Sequence, residues 1–92
     1  MLNLKTTTQF RRDYKLMKKR GYDMNLLENV LETLLQKKPL AEKHRDHALV
    51  GSYSGFRECH ILPDWLLIYR IDSEILLLVA SRTGTHSDLF KK

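Results

Sequence analysis

The chain predicts an α+β fold, an N-terminal helix hairpin packed on a small antiparallel β-sheet, and three observations predict it. Apolar residues recur at helical spacing through the first third. Between Phe56 and Arg82 they alternate, or run together, at strand spacing. Gly21-Tyr22 and Pro63-Asp64 stand where those patterns must turn.

Leu2 to Thr6 reads as a short strand, with Leu2 and Leu4 on one side. Thr6-Thr7-Thr8 offers N-cap hydroxyls. A helix is expected over about Thr8–Arg20, because Phe10, Tyr14 and Met17 share one stripe. Its other faces carry Arg11, Arg12, Lys15, Lys18, Lys19 and Arg20, the last three where the helix dipole favours cations. Gly21 can stop it. Asp23 can cap a second helix reaching about Lys37, whose Leu27, Val30, Leu31, Leu34 and Leu35 form a wide core stripe. Two helices joined at Gly21-Tyr22 make an antiparallel hairpin able to lie across a sheet.

Lys38-Pro39 ends the second helix, and a polar connection runs to about Ser54 with Lys43, His44, Arg45, Asp46 and His47. A connection this long in a small chain is often functional; a merely solvated loop is the alternative. Next comes the heart of the sheet. Phe56, Glu58, His60 and Leu62 point one way, and Arg57, Cys59 and Ile61 the other. Pro63-Asp64 suits a turn, since Pro presets φ and Asp can bond its own backbone. Trp65 to Ile71 is apolar on both sides, as in a central strand covered on both faces. Asp72-Ser73-Glu74 turns again. Ile75 to Arg82 reads as a strand with Leu76, Leu78, Ala80 and Arg82 on one side, and the tail holds one helical turn capped by Thr85.

The 92 residues make one domain, 1–92, near the small end for a self-sufficient core. A net charge of +5 favours polyanionic partners, nucleic acid or an acidic protein, with a solvated basic surface as the alternative. No apolar run is long enough for a membrane span, and Met1-Leu2-Asn3-Leu4-Lys5 lacks the pattern of a secretory signal, so no membrane partner is expected. The single cysteine, Cys59, cannot close an internal disulfide, which favours its burial and a reducing, cytoplasmic setting.

The polar residues point to chemistry. His47, His60 and His86 occupy positions able to converge, with Arg82 ending the last strand and Asp64 in the turn. Such a set can cleave a phosphodiester without a metal or other cofactor. One imidazole takes a proton from the attacking oxygen, another gives one to the leaving oxygen, and arginine steadies the phosphate. RNA supplies its own nucleophile, the 2′-hydroxyl. Structural roles compete at each position. His60 can bond Glu58 or Asp64, Arg82 can pair with Asp88 or Glu58, and His44, His47 and His86 can be loop surface. Trp65 and Phe90 can be packing, and Asp64 simply a turn former. A zinc site is disfavoured: no compact His-x-x-x-His spacing occurs, and the surroundings are basic. No phosphate-binding glycine loop or serine elbow is present.

Three separated motifs carry a resemblance: Asp46-His47-Ala48-Leu49-Val50-Gly51, Gly55 to Tyr69, and Arg82-Thr83-Gly84-Thr85-His86 followed by Leu89-Phe90. Together they resemble the YafQ-type branch of the RelE/ParE superfamily, toxins of bacterial type II toxin–antitoxin pairs. The resemblance implies a microbial-RNase-like fold and an endoribonuclease that cuts mRNA codons in the ribosomal A site, of lysine-type, A-rich sequence. It implies His47, His60, Asp64, Arg82 and His86 as catalytic residues. His86 leads for proton transfer, Arg82 stabilises charge and Asp64 orients a histidine. It also implies that Trp65 and Phe90 position nucleotide or support the site, and that Lys43 and Arg45 contact substrate. Its expected partners are a cognate antitoxin, mRNA and the ribosome, with operator DNA reached only through the antitoxin. The chain would be a monomer alone and a hetero-oligomer with antitoxin. Two alternatives stand beside it: a non-enzymatic toxin binding DNA gyrase or the ribosome, as ParE-like members do with gyrase, and a plain RNA-binding module.

Overall fold

The computed structural model describes residues 1–90. Its elements are β1 (Asn3–Thr6), α1 (Thr8–Lys19), α2 (Met24–Leu35), β2 (His47–Ala48), β3 (Arg57–Leu62), β4 (Trp65–Asp72), β5 (Leu77–Gly84) and α3 (His86–Leu89). The fold is the expected α+β arrangement, one five-stranded sheet in the order β1-β5-β4-β3-β2. The Thr7 hydroxyl opens α1 by accepting from the Phe10 N–H at 3.0 Å, and the Asp23 carboxylate opens α2 by accepting from Asn25 at 3.0 Å. Both helices end a residue or two before the periodicity does.

One pairing differs from an all-antiparallel sheet: β1 lies parallel to β5, so the sheet is mixed. The helix hairpin carries the chain from β1 to the far edge, and the antiparallel run β2 to β5 then returns to β1 in β1's own direction.

The helices seal one face of the sheet. Phe10, Met17, Leu27, Val30, Leu31 and Leu34 pack there against Cys59, Trp65, Leu67, Tyr69, Leu78 and Ala80. Burial pushes the Cys59 thiol up to about 12, which leaves it a protonated core residue. The opposite face holds a smaller cluster, Leu66, Ile68 and Leu89, covered by Leu49, Tyr53 and Phe56 from the loop between β2 and β3. Both faces of β4 are thus dry from Trp65 to Tyr69, while Ile71, expected within the covered run, is exposed.

Two register shifts aim polar side chains. One falls in β3 between His60 and Leu62. The other falls between β4 and β5, where Tyr69 pairs with Ala80 but Ile68 pairs with Arg82, so Ser81 is an extra residue. Arg82 therefore registers with Ile68 of the open face and does not continue the Leu78–Ala80 side, contrary to unbroken alternation. Leu76, expected on that side, lies in the β4–β5 turn at φ 52°. Among the described residues, no helix is long and apolar enough to cross a membrane.

Candidate active site

The open face collects a carboxylate and two imidazoles at one end. His47 lies directly opposite Glu58 in the β2–β3 ladder, and His60 follows Glu58 by two residues, so all three share a side. Glu58 Oε1 lies 3.4 Å from His47 Nε2 and 3.6 Å from His60 Nε2, with the Glu58 side chain only 8% exposed. His47 Nδ1 faces the Arg45 carbonyl at 2.7 Å, and His60 Nδ1 faces the Pro63 carbonyl at 3.2 Å. A carbonyl only accepts, so Nδ1 carries the hydrogen in both rings and Nε2 turns to Glu58. Arg45 sits in a left-handed turn at φ 46°, a conformation costly for a non-glycine residue, which aims its carbonyl at His47. The loop is further pinned by Asp46, which accepts from the Tyr69 hydroxyl at 2.5 Å and from Arg57 at 3.1 Å. His44 braces β3 from outside this group, with Nδ1 2.6 Å from the His60 carbonyl.

His86 arrives from the other side as the first residue of α3. Thr85 and Asp88 form a capping box: the Thr85 hydroxyl accepts from Asp88 N–H at 3.2 Å, and the Asp88 carboxylate accepts from Thr85 N–H at 2.9 Å. Gly84 permits that closure, since a Cβ there would fall 3.0 Å from Asp88 Cβ. Arg20 holds Asp88 through two bonds, of 2.7 and 3.2 Å, and keeps its carboxyl well below the usual carboxylate range. Asp64 Oδ1 accepts from the His86 backbone N–H at 3.0 Å and from its Nδ1 at 2.5 Å. Those two bonds, the backbone one foremost, lower the Asp64 pKa. They also occupy Nδ1 of a half-exposed ring, so the nitrogen left to take or give a proton is Nε2. The His60 and His86 rings lie 5.6 Å apart, centre to centre.

Arg82 is tied by Nε and Nη2 to Asp13 of α1, at 2.7 and 3.2 Å. Phe90 stands edge-on to Tyr53 at 5.9 Å and is 36% exposed, so an aromatic surface borders the site. Lys43 and Arg45 line a cleft of about 240 Å³ with His60 and Pro63. Trp65 is the correction. It is fully buried on the helix-covered face, edge-on to Tyr22, with its indole N–H donating to Thr83 Oγ1 at 2.8 Å. It offers no surface to a nucleotide. The strand pattern put it beside the turn, but the side chain of the first β4 residue enters the core.

Two residues of the site escaped sequence reasoning as functional groups. Glu58 is central to the histidine pair; the two-residue strand β2 that sets it opposite His47 is too short to read from pattern. Asp13 lies on a helix whose basic surface masks one buried carboxylate. Among the described residues, no group of three or more His, Cys, Asp or Glu is arranged to hold a metal ion.

Residues 2–91 match the family described as "Bacterial toxin of type II toxin-antitoxin system, YafQ". The chain belongs to the YafQ toxin family. It is 42% identical over 83 residues to the mRNA interferase toxin YafQ of Escherichia coli K12, covering 89% of this chain and 88% of that protein. The metal-bound toxin from Helicobacter pylori has the same fold, with a TM-score of 0.92 at 43% identity over 98% of this chain and 100% of that one. A chain of the Escherichia coli DinJ–YafQ complex gives 0.89 at 40% identity, over 98% and 99%. Family membership therefore spans both the helix hairpin and the histidine face.

Proposed function

We propose that this YafQ-family toxin is a ribosome-dependent mRNA endoribonuclease of a type II toxin–antitoxin pair, acting in the cytoplasm. The observation that carries it is a half-exposed His86 held through Nδ1 by Asp64, 5.6 Å ring-to-ring from a His60 that faces Glu58. Two imidazoles so placed can divide the proton transfers of transesterification. One accepts the 2′-hydroxyl proton as that oxygen bonds to phosphorus. The other protonates the 5′-oxygen as the P–O5′ bond breaks, leaving a 2′,3′-cyclic phosphate. Arg82 stabilises the negative charge that builds on the phosphate oxygens. Lys43 and Arg45 hold neighbouring phosphates, and Phe90 with Tyr53 offers rings for base stacking.

The Escherichia coli relative assembles with DinJ, and this chain binds its own cognate antitoxin in the same manner, reaching operator DNA only through it. Alone it is a monomer. The basic surface of α1 and the loop 37–45 meets rRNA and mRNA phosphate.

Primer extension on an mRNA translated in a purified system, with wild-type protein and with His86→Ala, tests the proposal. Cuts inside codons, seen only with ribosomes and only with wild type, are expected, and their positions report the codon choice. Arrested translation over intact mRNA from both proteins would instead make it a non-enzymatic toxin.

A further inference from the structure

Arg82 and the turn that carries His86 are not held by the sheet alone: Asp13 of α1 grips the first, and Arg20, the residue that caps α1, reaches the second through Asp88. Asp13, in the middle of that helix, is 7% exposed and fully engaged. It accepts from Arg82 Nε at 2.7 Å, Arg82 Nη2 at 3.2 Å, the Thr83 backbone N–H at 3.1 Å and Gln9 Nε2 at 3.2 Å. A carboxylate this buried is kept only with such partners. Seven residues on, Arg20 takes Asp88 in a two-bond clasp, and Asp88 caps the turn that begins at His86. Seven residues are about two turns, so Asp13 and Arg20 share one helix face roughly 10 Å apart.

The geometry of the Arg82 clasp leaves the residue usable. The Ser81 bulge turns Arg82 off the Leu78–Ala80 side, and Asp13 takes the Nε edge of the guanidinium. Two of its five N–H groups face Asp13 and the Tyr53 hydroxyl lies beside the guanidinium, so only the remainder of the fork is open to a ligand. A guanidinium fixed before the phosphate arrives stabilises developing charge without first having to order itself.

We infer that α1 is a splint for the catalytic face: Asp13 is the positioning residue for Arg82, and Arg20, through Asp88, for the turn that presents His86. The inference rests on the proposed nuclease reading and gives the inner side of α1 a part in it besides covering the core.

Cleavage kinetics on ribosome-bound mRNA for wild type, Asp13→Asn, Arg82→Ala and the double variant test it. Asp13→Asn should lower kcat about 10- to 100-fold and leave KM within about twofold, the pattern of an interaction made in the transition state. In the Arg82→Ala background it should cost nothing further, because residues acting as one unit are not additive. An equal loss in both backgrounds overturns the inference, since Asp13 would then serve the fold alone. A fully active Arg82→Ala protein overturns it too, and locates the failure in the phosphate role of Arg82. Should Asp13→Asn not fold, the Arg82 Nε–H resonance of the wild-type protein decides: an immobile guanidinium supports the clasp, and a freely averaging one overturns it. For the second grip, Arg20→Lys should keep most of the kcat that Arg20→Ala loses. An Arg20→Ala protein as active as wild type removes Arg20 from the account.

Discussion

The two faces of the sheet share a strand and differ in nearly everything else. Trp65, Leu67 and Tyr69 of β4 turn into a sealed core under two helices, while Leu66 and Ile68, the residues between them, turn to a thin cluster under one loop and α3. The first face holds the fold by buried apolar area. The second is just apolar enough to stay dry at its centre, and its margin carries the histidines, Glu58, Asp64 and Arg82. The difference teaches where function is affordable in a chain of 92 residues. A polar constellation needs rigid backing, and here the backing is a core that the site itself does not enter.

A pair of substitutions, one per face, breaks that comparison most sharply. Trp65→Ala empties the core face and should cost about 3–5 kcal/mol, read by urea denaturation. His86→Ala, on a half-exposed side chain, should change stability by no more than about 0.5 kcal/mol and yet lower cleavage about 10²- to 10⁴-fold. If the Trp65 variant melts like wild type, or the His86 variant unfolds, the division of labour between the faces is wrong. A milder probe is Glu58→Gln, which keeps the shape but removes the charge that both imidazoles face. We expect a loss of about 10-fold or more in kcat with the melting temperature nearly unchanged.

The smallest effect concerns acid. Asp88 and Asp64 both have carboxyl pKa values lowered by folding, so the unfolded chain binds their protons first. Their stabilisation is present above the ordinary carboxylate value, about 4, and is lost as pH falls below it. Arg20→Ala removes the main cause of the Asp88 shift, so the drop in stability between about pH 5 and pH 2 should be shallower than in wild type. An equal drop in both proteins would show that the Arg20–Asp88 clasp does not persist in solution.

The core face was the legible one. Helical spacing in α1 and α2, the cap residues Thr7 and Asp23, and the apolar run of β4 are local signals, and each element formed where they stood. On the other face the candidates His47, His60, Asp64, Arg82 and His86 could be named, because imidazole and guanidinium chemistry shows in residue type. What joins them could not. The Ser81 bulge that re-aims Arg82, the two-residue ladder that sets Glu58 against His47, and the parallel return of β5 to β1 are long-range pairings that leave no periodic trace. Trp65 was misplaced for the reverse reason: closeness in sequence to the turn says nothing about which face a side chain enters. Asp13 was hidden because its partner is 69 residues away.

The most direct test of the histidine mechanism is single-turnover cleavage of ribosome-bound mRNA across about pH 5 to 9, with and without EDTA. Two imidazoles sharing the proton transfers predict a bell-shaped profile near neutrality that EDTA leaves unchanged. A rate that rises with pH without turning over, or that EDTA abolishes, would contradict the account and point to a metal-bound hydroxide as the working base.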